Sequence, residues 1–265
     1  MSMSTSIHKT SIIDKAAKLG NNVVIGAYSI IGPKVKIGNN VKIYSHVNIV
    51  GDTKIGNNTQ IFPFTSLGTF PQDLKYKGEK SRLVIGSNNT IREYVTMNPG
   101  TKAGGLITKI GNNCLFMISA HVAHDCIIGN NVIMANNATL AGHVHVDDFA
   151  ILGGLSAIHQ YVRIGKHAMV GGMSGVEHDV IPYGSVMGDR ASLSGLNIIG
   201  LKRRGFSRNE IHDLRTAFRL IFSIDGTIAE RLNDAAKMYK KNKVVMEIVN
   251  FAKLKNTSRA ICKPK

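Results

Sequence analysis

LGNNVVIGAYSIIGPKVKIGNNVKI, residues 19–43, carries an aliphatic side chain at every sixth position: Leu19, Ile25, Ile31, Ile37 and Ile43. Outward from this stretch the register runs back to Ile13 and forward to Leu67, resumes at Ile85, Ile91 and Met97, and continues from Ile110 to Val176. All 25 positions are apolar in a chain that is 43% hydrophobic, so composition alone does not produce the pattern. A helix repeats every 3.6 residues and a half-buried strand every 2, and neither gives a period of six. A hexapeptide β-helix does.

The other columns of the repeat fit that reading. The fifth position holds small or β-branched residues such as Val23, Val35, Thr59, Ala120 and Ala168, suited to an inward site with little room; Asn89 is a misfit. The second position is Gly in 12 units, and several units continue with Asn-Asn, as at 21–22 and 39–40. Gly and Asn tolerate positive φ and tight corners. Three hexads, about 18 residues, then close one triangular coil, and successive coils pair as parallel sheets about 4.8 Å apart. The prism has about eight coils and a height on the order of 40 Å.

Two segments break the repeat, at 69–83 and at 98–109. The first returns to register at Ile85 and the second shifts the phase by one, so both are expected to be loops thrown out from the prism. Long loops in compact domains are often functional. The hexads end near Gly188, which predicts a β-helix over 1–188 and a helical domain over 189–265. Ser207 and Glu210 form a capping box with Phe206 and Ile211 placed as a staple, Thr227 and Glu230 repeat the box, and Lys243 to Lys255 reads as a further amphipathic helix.

The net charge is +16 and the pI about 9.9, which implies an acidic partner. From residue 200 onward there are 16 Lys/Arg against 6 Asp/Glu, so the basic surface lies mostly in the C-terminal part. Nucleic acid is disfavoured, because no aromatic-rich module or zinc-finger spacing appears and Trp is absent. No apolar run is long enough to span a bilayer and the first residues do not form a signal peptide, so a cytoplasmic protein is expected. Cys114 and Cys126 fall on inward positions and Cys262 in the tail, which suggests neither a disulfide framework nor a metal tetrad. No metal and no cofactor are expected.

His121, His124, His143 and His159 fall close together in the sequence. At about 18 residues per coil, His143 and His159 lie within one residue of positions stacked on His124, so three imidazoles are expected along one edge roughly 5 Å apart. His121 shares the coil of His124. Such a column suits either a metal or acid–base catalysis, and some hexapeptide proteins hold zinc with three histidines and hydrate carbon dioxide. Asp125 beside His124 equally suits a carboxylate-assisted imidazole base.

The local sequence around these residues is more specific. His121-Val-Ala-His124-Asp125-Cys126, the segment from Asn136 to Gly142 and His143, Asp147-Asp148, Ala157-Ile-His159-Gln160, the stretch from Asn197 through Arg203 and Arg204, and the loop Gln72-Asp73-Leu-Lys75-Tyr76 closely resemble the UDP-N-acetylglucosamine O-acyltransferases that begin lipid A synthesis. The resemblance spans essentially the whole chain.

The resemblance implies a left-handed parallel β-helix, a homotrimer with active sites between neighbouring subunits, and transfer of a 3-hydroxyacyl group from acyl carrier protein to the sugar 3-hydroxyl. It makes His124 the general base, Asp125 its support and the Gly142 N–H the oxyanion donor. It places His121, His143 and His159 against the sugar and acyl groups, and Gln160, Asn197 and Arg203 against the nucleotide sugar. Gln72, Asp73 and Lys75 would help hold either substrate; an ion pair between Asp73 and Lys75 is the alternative role. Met169 and Gly172 would set the end of the acyl groove. Arg190 and Ile199 depart from the family pattern near the nucleotide, and a 3-amino sugar acceptor remains an alternative substrate.

Overall fold

The computed structural model describes residues 5–254 and 257–265. The described residues form 28 short strands, most of them two residues long, in three sheets of 11, 9 and 8 strands. Pairing is parallel and in register one coil apart, as in Val24 with Lys42, Ile30 with Asn48 and Lys18 with Lys36. The every-sixth aliphatics point inward and form the core: Ile25, Ile31, Ile43, Ile61, Leu140 and Val170 are each at most 1% exposed.

Corner chemistry divides between two residues in a way the sequence did not separate. The left-handed conformation falls on the fourth position of the hexad, at Asn22, Asn40 and Asn58 with φ of 56–58°. The second-position glycines serve a different need. A Cβ on Gly20 would lie 2.6 Å from Oδ1 of Asn39 and 2.8 Å from its backbone N, so Gly is there because the next coil lies against it. The Asn89 misfit also has a physical account. Its buried amide donates to Gly111 O at 2.9 Å and accepts from Cys114 N at 2.8 Å, joining coils across the second interruption.

Both interruptions are loops, shorter than expected at their C-terminal ends. Arg82–Ile85 and Ile107–Ile110 are four-residue strands paired with each other, and Arg82–Ile85 pairs also with Asp52–Ile55. The excursions are therefore 69–81 and 98–106. Leu83 and Thr108 are fully buried, an inward column that the polar local sequence conceals. The loops brace each other: Glu79 accepts from Lys102 N at 3.1 Å, and Asn98 donates to Thr69 O at 3.1 Å and Phe70 O at 3.2 Å.

The sheet does not stop with the hexads. Gly184–Met187 pairs antiparallel with Ser192–Leu196, a hairpin that carries no hexad spacing and so ends the repeat before it ends the sheet. Among the described residues four α-helices follow: α1 Ile198–Arg203, α2 Arg208–Ile221, α3 Ile228–Met238 and α4 Lys243–Lys253. Both expected capping boxes form, at Ser207 with Glu210 and at Thr227 with Glu230. The expected end of the last helix at Lys255 lies outside the described residues. The tail then returns to the prism, where Ile261 bridges Asp179.

The junction between prism and helices is an aromatic stack. Phe149, His167 and Tyr183 lie face to face with centroids 4.8 and 5.6 Å apart, and Phe206 meets His167 edge-on at 5.2 Å. Arg204 Nη1 donates to His167 Nδ1 at 2.8 Å and to Phe149 O at 2.7 Å. Burial, then the charges of Arg204 and Lys166, push His167 from 6.5 down to about 4. The neutral ring is the folded form, so its contribution is complete above about pH 6.5 and is lost as the pH falls through about 4. Melting curves should show the wild type losing stability over that window relative to His167→Phe, which keeps a stacking ring and does not titrate. Parallel pH profiles for the two proteins would contradict this.

Candidate active site

His124 and Asp125 stand at a corner where the second sheet passes into the third, and both are buried. His124 Nδ1 donates to Asp125 Oδ2 at 2.8 Å. The carboxylate is held in turn by the second loop, whose Thr101 donates its N–H to Oδ1 at 2.8 Å and its hydroxyl to Oδ2 at 2.6 Å. Thr108 Oγ1 accepts from the Asp125 N–H at 2.8 Å. A proton on Nδ1, fixed by a carboxylate that accepts from three donors, leaves Nε2 as the lone-pair nitrogen.

One coil along, Gly142 lies directly against that ring. A Cβ on Gly142 would be 2.6 Å from His124 Nε2, so only the absence of a side chain lets the imidazole occupy its place. The Gly142 N–H has no protein acceptor among the described residues. A basic nitrogen and an uncommitted N–H donor thus share one small region, the pairing that acyl transfer requires.

Around this centre is a cavity of about 610 Å³, lined by His121, His124, Gly142, His143 and Gln160 on the prism and by Gln72, Asp73 and Lys75 of the first loop. His143 meets His124 edge-on at 5.1 Å and stacks on Tyr161 at 4.5 Å. His121 shares a hydrogen bond of 2.7 Å with Thr96. Burial holds both His121 and His143 below the ordinary imidazole value; for His143 the charge of Asp125 opposes that shift. Both rings are therefore neutral at pH 7, able to hydrogen-bond a sugar or an acyl chain without placing charge there. Asp73 and Lys75 form no ion pair; Asp73 Oδ1 accepts the Lys75 N–H at 2.9 Å, a loop-shaping contact.

Other expected residues lie elsewhere. His159 does not extend the histidine column: it is exposed, outside the cavity, and its Nδ1 lies 2.5 Å from Arg259 Nη2 of the C-terminal tail. The one-residue offset from Gln160 accounts for this, because the corner above His143 is occupied by Tyr161. Asn197 caps α1, accepting from Gly200 N at 3.1 Å and donating to His167 O at 3.0 Å, and Arg203 is exposed on that helix. Met169 lies on the first sheet, half-buried, and Gly172 at an exposed corner. Sequence reading missed Thr101, Thr108, Thr96 and Tyr161. Tyr161 lies one 18-residue coil beyond His143, so the same arithmetic could have found it, whereas Thr96, Thr101 and Thr108 reach the site across or within an interruption that breaks the count.

One ligand atom each from His124, Asp125 and His143 lies within 4.8 Å of the others, close enough to raise the metal reading. The donor set is already committed. Asp125 already accepts three hydrogen bonds from Thr101 and His124, so a cation there would compete with the bonds that orient the base.

Similarity to known proteins follows the same lines. The family model described as Udp N-acetylglucosamine O-acyltransferase, domain 2, matches residues 179–262, and the bacterial transferase hexapeptide model matches 16–51 and 107–142. The chain is 64% identical to the acyl-[acyl-carrier-protein]–UDP-N-acetylglucosamine O-acyltransferase of Methylobacterium radiotolerans over 77% of this chain and 75% of that one. It is 53% identical to the protein of the same name from Rickettsia canadensis over 97% of both. Among solved structures, a UDP-N-acetylglucosamine acyltransferase superposes with a TM-score of 0.94 at 41% identity, covering 98% of this chain and 99% of that one. The enzyme of that name from Campylobacter jejuni gives 0.92 at 40%, covering 98% and 100%. A left-handed parallel β-helix, a helical C-terminal part and identity sustained over nearly the full length place this chain in the acyl-[acyl-carrier-protein]–UDP-N-acetylglucosamine O-acyltransferase family.

Proposed function

We propose that this protein transfers a 3-hydroxyacyl group from acyl carrier protein to the 3-hydroxyl of UDP-N-acetylglucosamine, the first step of lipid A biosynthesis, in the cytoplasm and as a homotrimer. The observation that carries the reading is the His124 ring, protonated on Nδ1 toward Asp125 and bare on Nε2 over Gly142. Nε2 takes the proton of the sugar 3-hydroxyl as its oxygen attacks the thioester carbonyl. Asp125 stabilises the imidazolium that forms. The Gly142 N–H donates to the tetrahedral oxyanion. Collapse of that intermediate expels the carrier-protein thiolate, which takes the proton back from Nε2.

His121, His143 and Gln160 contact the sugar and acyl groups, with Gln72, Asp73 and Lys75 closing the cavity from the loop. Asn197, Arg203 and His159 lie outside the single-chain cavity, so their part in holding the nucleotide depends on a neighbouring copy. We assign the prism, 1–188, to catalysis and the basic part, 189–265, to docking the acidic carrier protein. No helix among the described residues is long and apolar enough to cross a membrane.

The reaction is tested by free-thiol release from 3-hydroxytetradecanoyl acyl carrier protein with UDP-N-acetylglucosamine, beside the 3-deoxy sugar nucleotide. Release with the natural sugar alone supports the reading; equal release with the 3-deoxy compound overturns it. Donor length is a separate expectation. A Cβ on Gly172 would lie 3.3 Å from Gly154 O and 4.0 Å from its N, so a side chain fits there only if the Gly154 backbone gives by a few tenths of an ångström. Gly172→Met should shift preference from long donors toward shorter ones in competition assays. Unchanged selectivity would rule out Gly172 as the end of the groove.

A further inference from the structure

The C-terminal tail reaches the rim of the cavity through one side chain. Arg259 Nε donates to Gln160 O at 3.0 Å and its Nη2 lies 2.5 Å from His159 Nδ1, so one guanidinium holds two successive residues. The tail that presents it is fixed to the prism. Asp179 N donates to Ala260 O and Cys262 N to Asp179 O, both at 2.8 Å, and Leu193 N donates to Lys263 O at 3.0 Å. Asp179 is itself fully buried and held by Arg163, through its backbone N–H at 2.7 Å and its guanidinium at 2.7–2.8 Å. An arginine carried on an anchored segment, with both ends of its planar fork engaged, is an ordered group rather than a solvated surface charge.

We infer that Arg259 is a positioning residue for the sugar-nucleotide side of the site, acting through Gln160 and His159. Gln160 lines the cavity directly beside Tyr161, and its backbone is the part Arg259 holds. His159 Nδ1 also lies 3.3 Å from Gln160 O, but that carbonyl already accepts from Arg259 Nε, and the nearer Arg259 Nη2 at 2.5 Å can only donate, so Nδ1 accepts and the single ring proton sits on Nε2. His159 is thereby preset as an Nε2–H donor, the form that binds an acceptor oxygen of a sugar or diphosphate. Arg259 touches neither His124 nor Asp125, so it bears on how the nucleotide is held and not on proton transfer.

This inference rests on the proposed acyl transfer, and its test separates the two. Steady-state kinetics of the wild type, Arg259→Ala and Arg259→Lys would be measured with each substrate varied in turn, and imidazole nitrogen shifts would report the His159 tautomer. The expected result is a roughly tenfold or larger rise in KM for UDP-N-acetylglucosamine in Arg259→Ala, from the loss of two charge-assisted hydrogen bonds. The KM for acyl carrier protein should stay unchanged, His159 should lose its Nε2–H preference, and Arg259→Lys should recover part of the loss. An inactive wild type would refute the reaction itself. An active wild type with unchanged KM values in Arg259→Ala, or equal losses toward both substrates, would overturn the role of Arg259. If Arg259→Ala melts early, the tautomer and KM of Arg259→Lys decide the matter.

Discussion

Replacing His124 with Ala should lower kcat/KM for acyl transfer by about 10²–10⁴-fold, the usual worth of a positioned general base. The neighbouring imidazoles are held by other partners. His143 points its Nε2 toward Asp125, 3.8 Å from Oδ2, and His121 is bonded to Thr96. The loss should fall on kcat more than on either KM, since Nε2 gains a bond to the sugar oxygen mainly as the proton moves. Folding should survive, because Asp125 keeps both bonds from Thr101 and the His124 ring is not part of the aliphatic core. A variant that retains full kcat would remove His124 from the mechanism. A variant that unfolds would be uninformative on its own, and His124→Gln, with a similar reach and no base, supplies the same comparison.

The second large effect comes from a residue with no side chain. Gly142→Ala adds one methyl group, and its Cβ would sit 2.6 Å from His124 Nε2, well inside van der Waals contact. The ring must swing away or the corner must shift, and either change displaces the base from the oxyanion donor. A misplacement of about 1 Å in such a centre can cost on the order of 10²-fold in rate. The expected result is that loss in kcat with little change in thermal stability, because the corner at Gly142 faces the cavity and not the core. Wild-type turnover in Gly142→Ala would show that the ring does not sit where Gly142 confines it.

The fold was legible because a six-residue period admits few other structures. Every apolar position of the six-residue register from Ile25 to Val176 is buried despite the two interruptions, and the strand pairs follow the coil length that three hexads imply. What the period concealed was its own end and its own exceptions. The Ser192–Leu196 hairpin extends a sheet without hexads, Leu83 and Thr108 are core residues inside segments that read as loops, and α1 is too short to show helical periodicity.

The candidate site was legible where chemistry coincides with the repeat. His124, Asp125, Gly142 and His143 fall on positions fixed by coil arithmetic, and the structure brings them together. His159 shows the limit of that arithmetic: a shift of one residue turns a side chain from the cavity toward the tail. Thr101 was invisible for the opposite reason. It lies in an irregular loop, where no spacing rule connects it to a carboxylate 24 positions away.

The measurement that tests the central claim most directly is the structure of the product. The protein would be incubated with 3-hydroxytetradecanoyl acyl carrier protein and UDP-N-acetylglucosamine, and the nucleotide sugar recovered for mass spectrometry and proton NMR. The account predicts one added 3-hydroxyacyl group and a downfield shift confined to the sugar H3, the mark of an ester at O3. An unmodified sugar after complete exposure to the donor, or acylation at any other position, would contradict it.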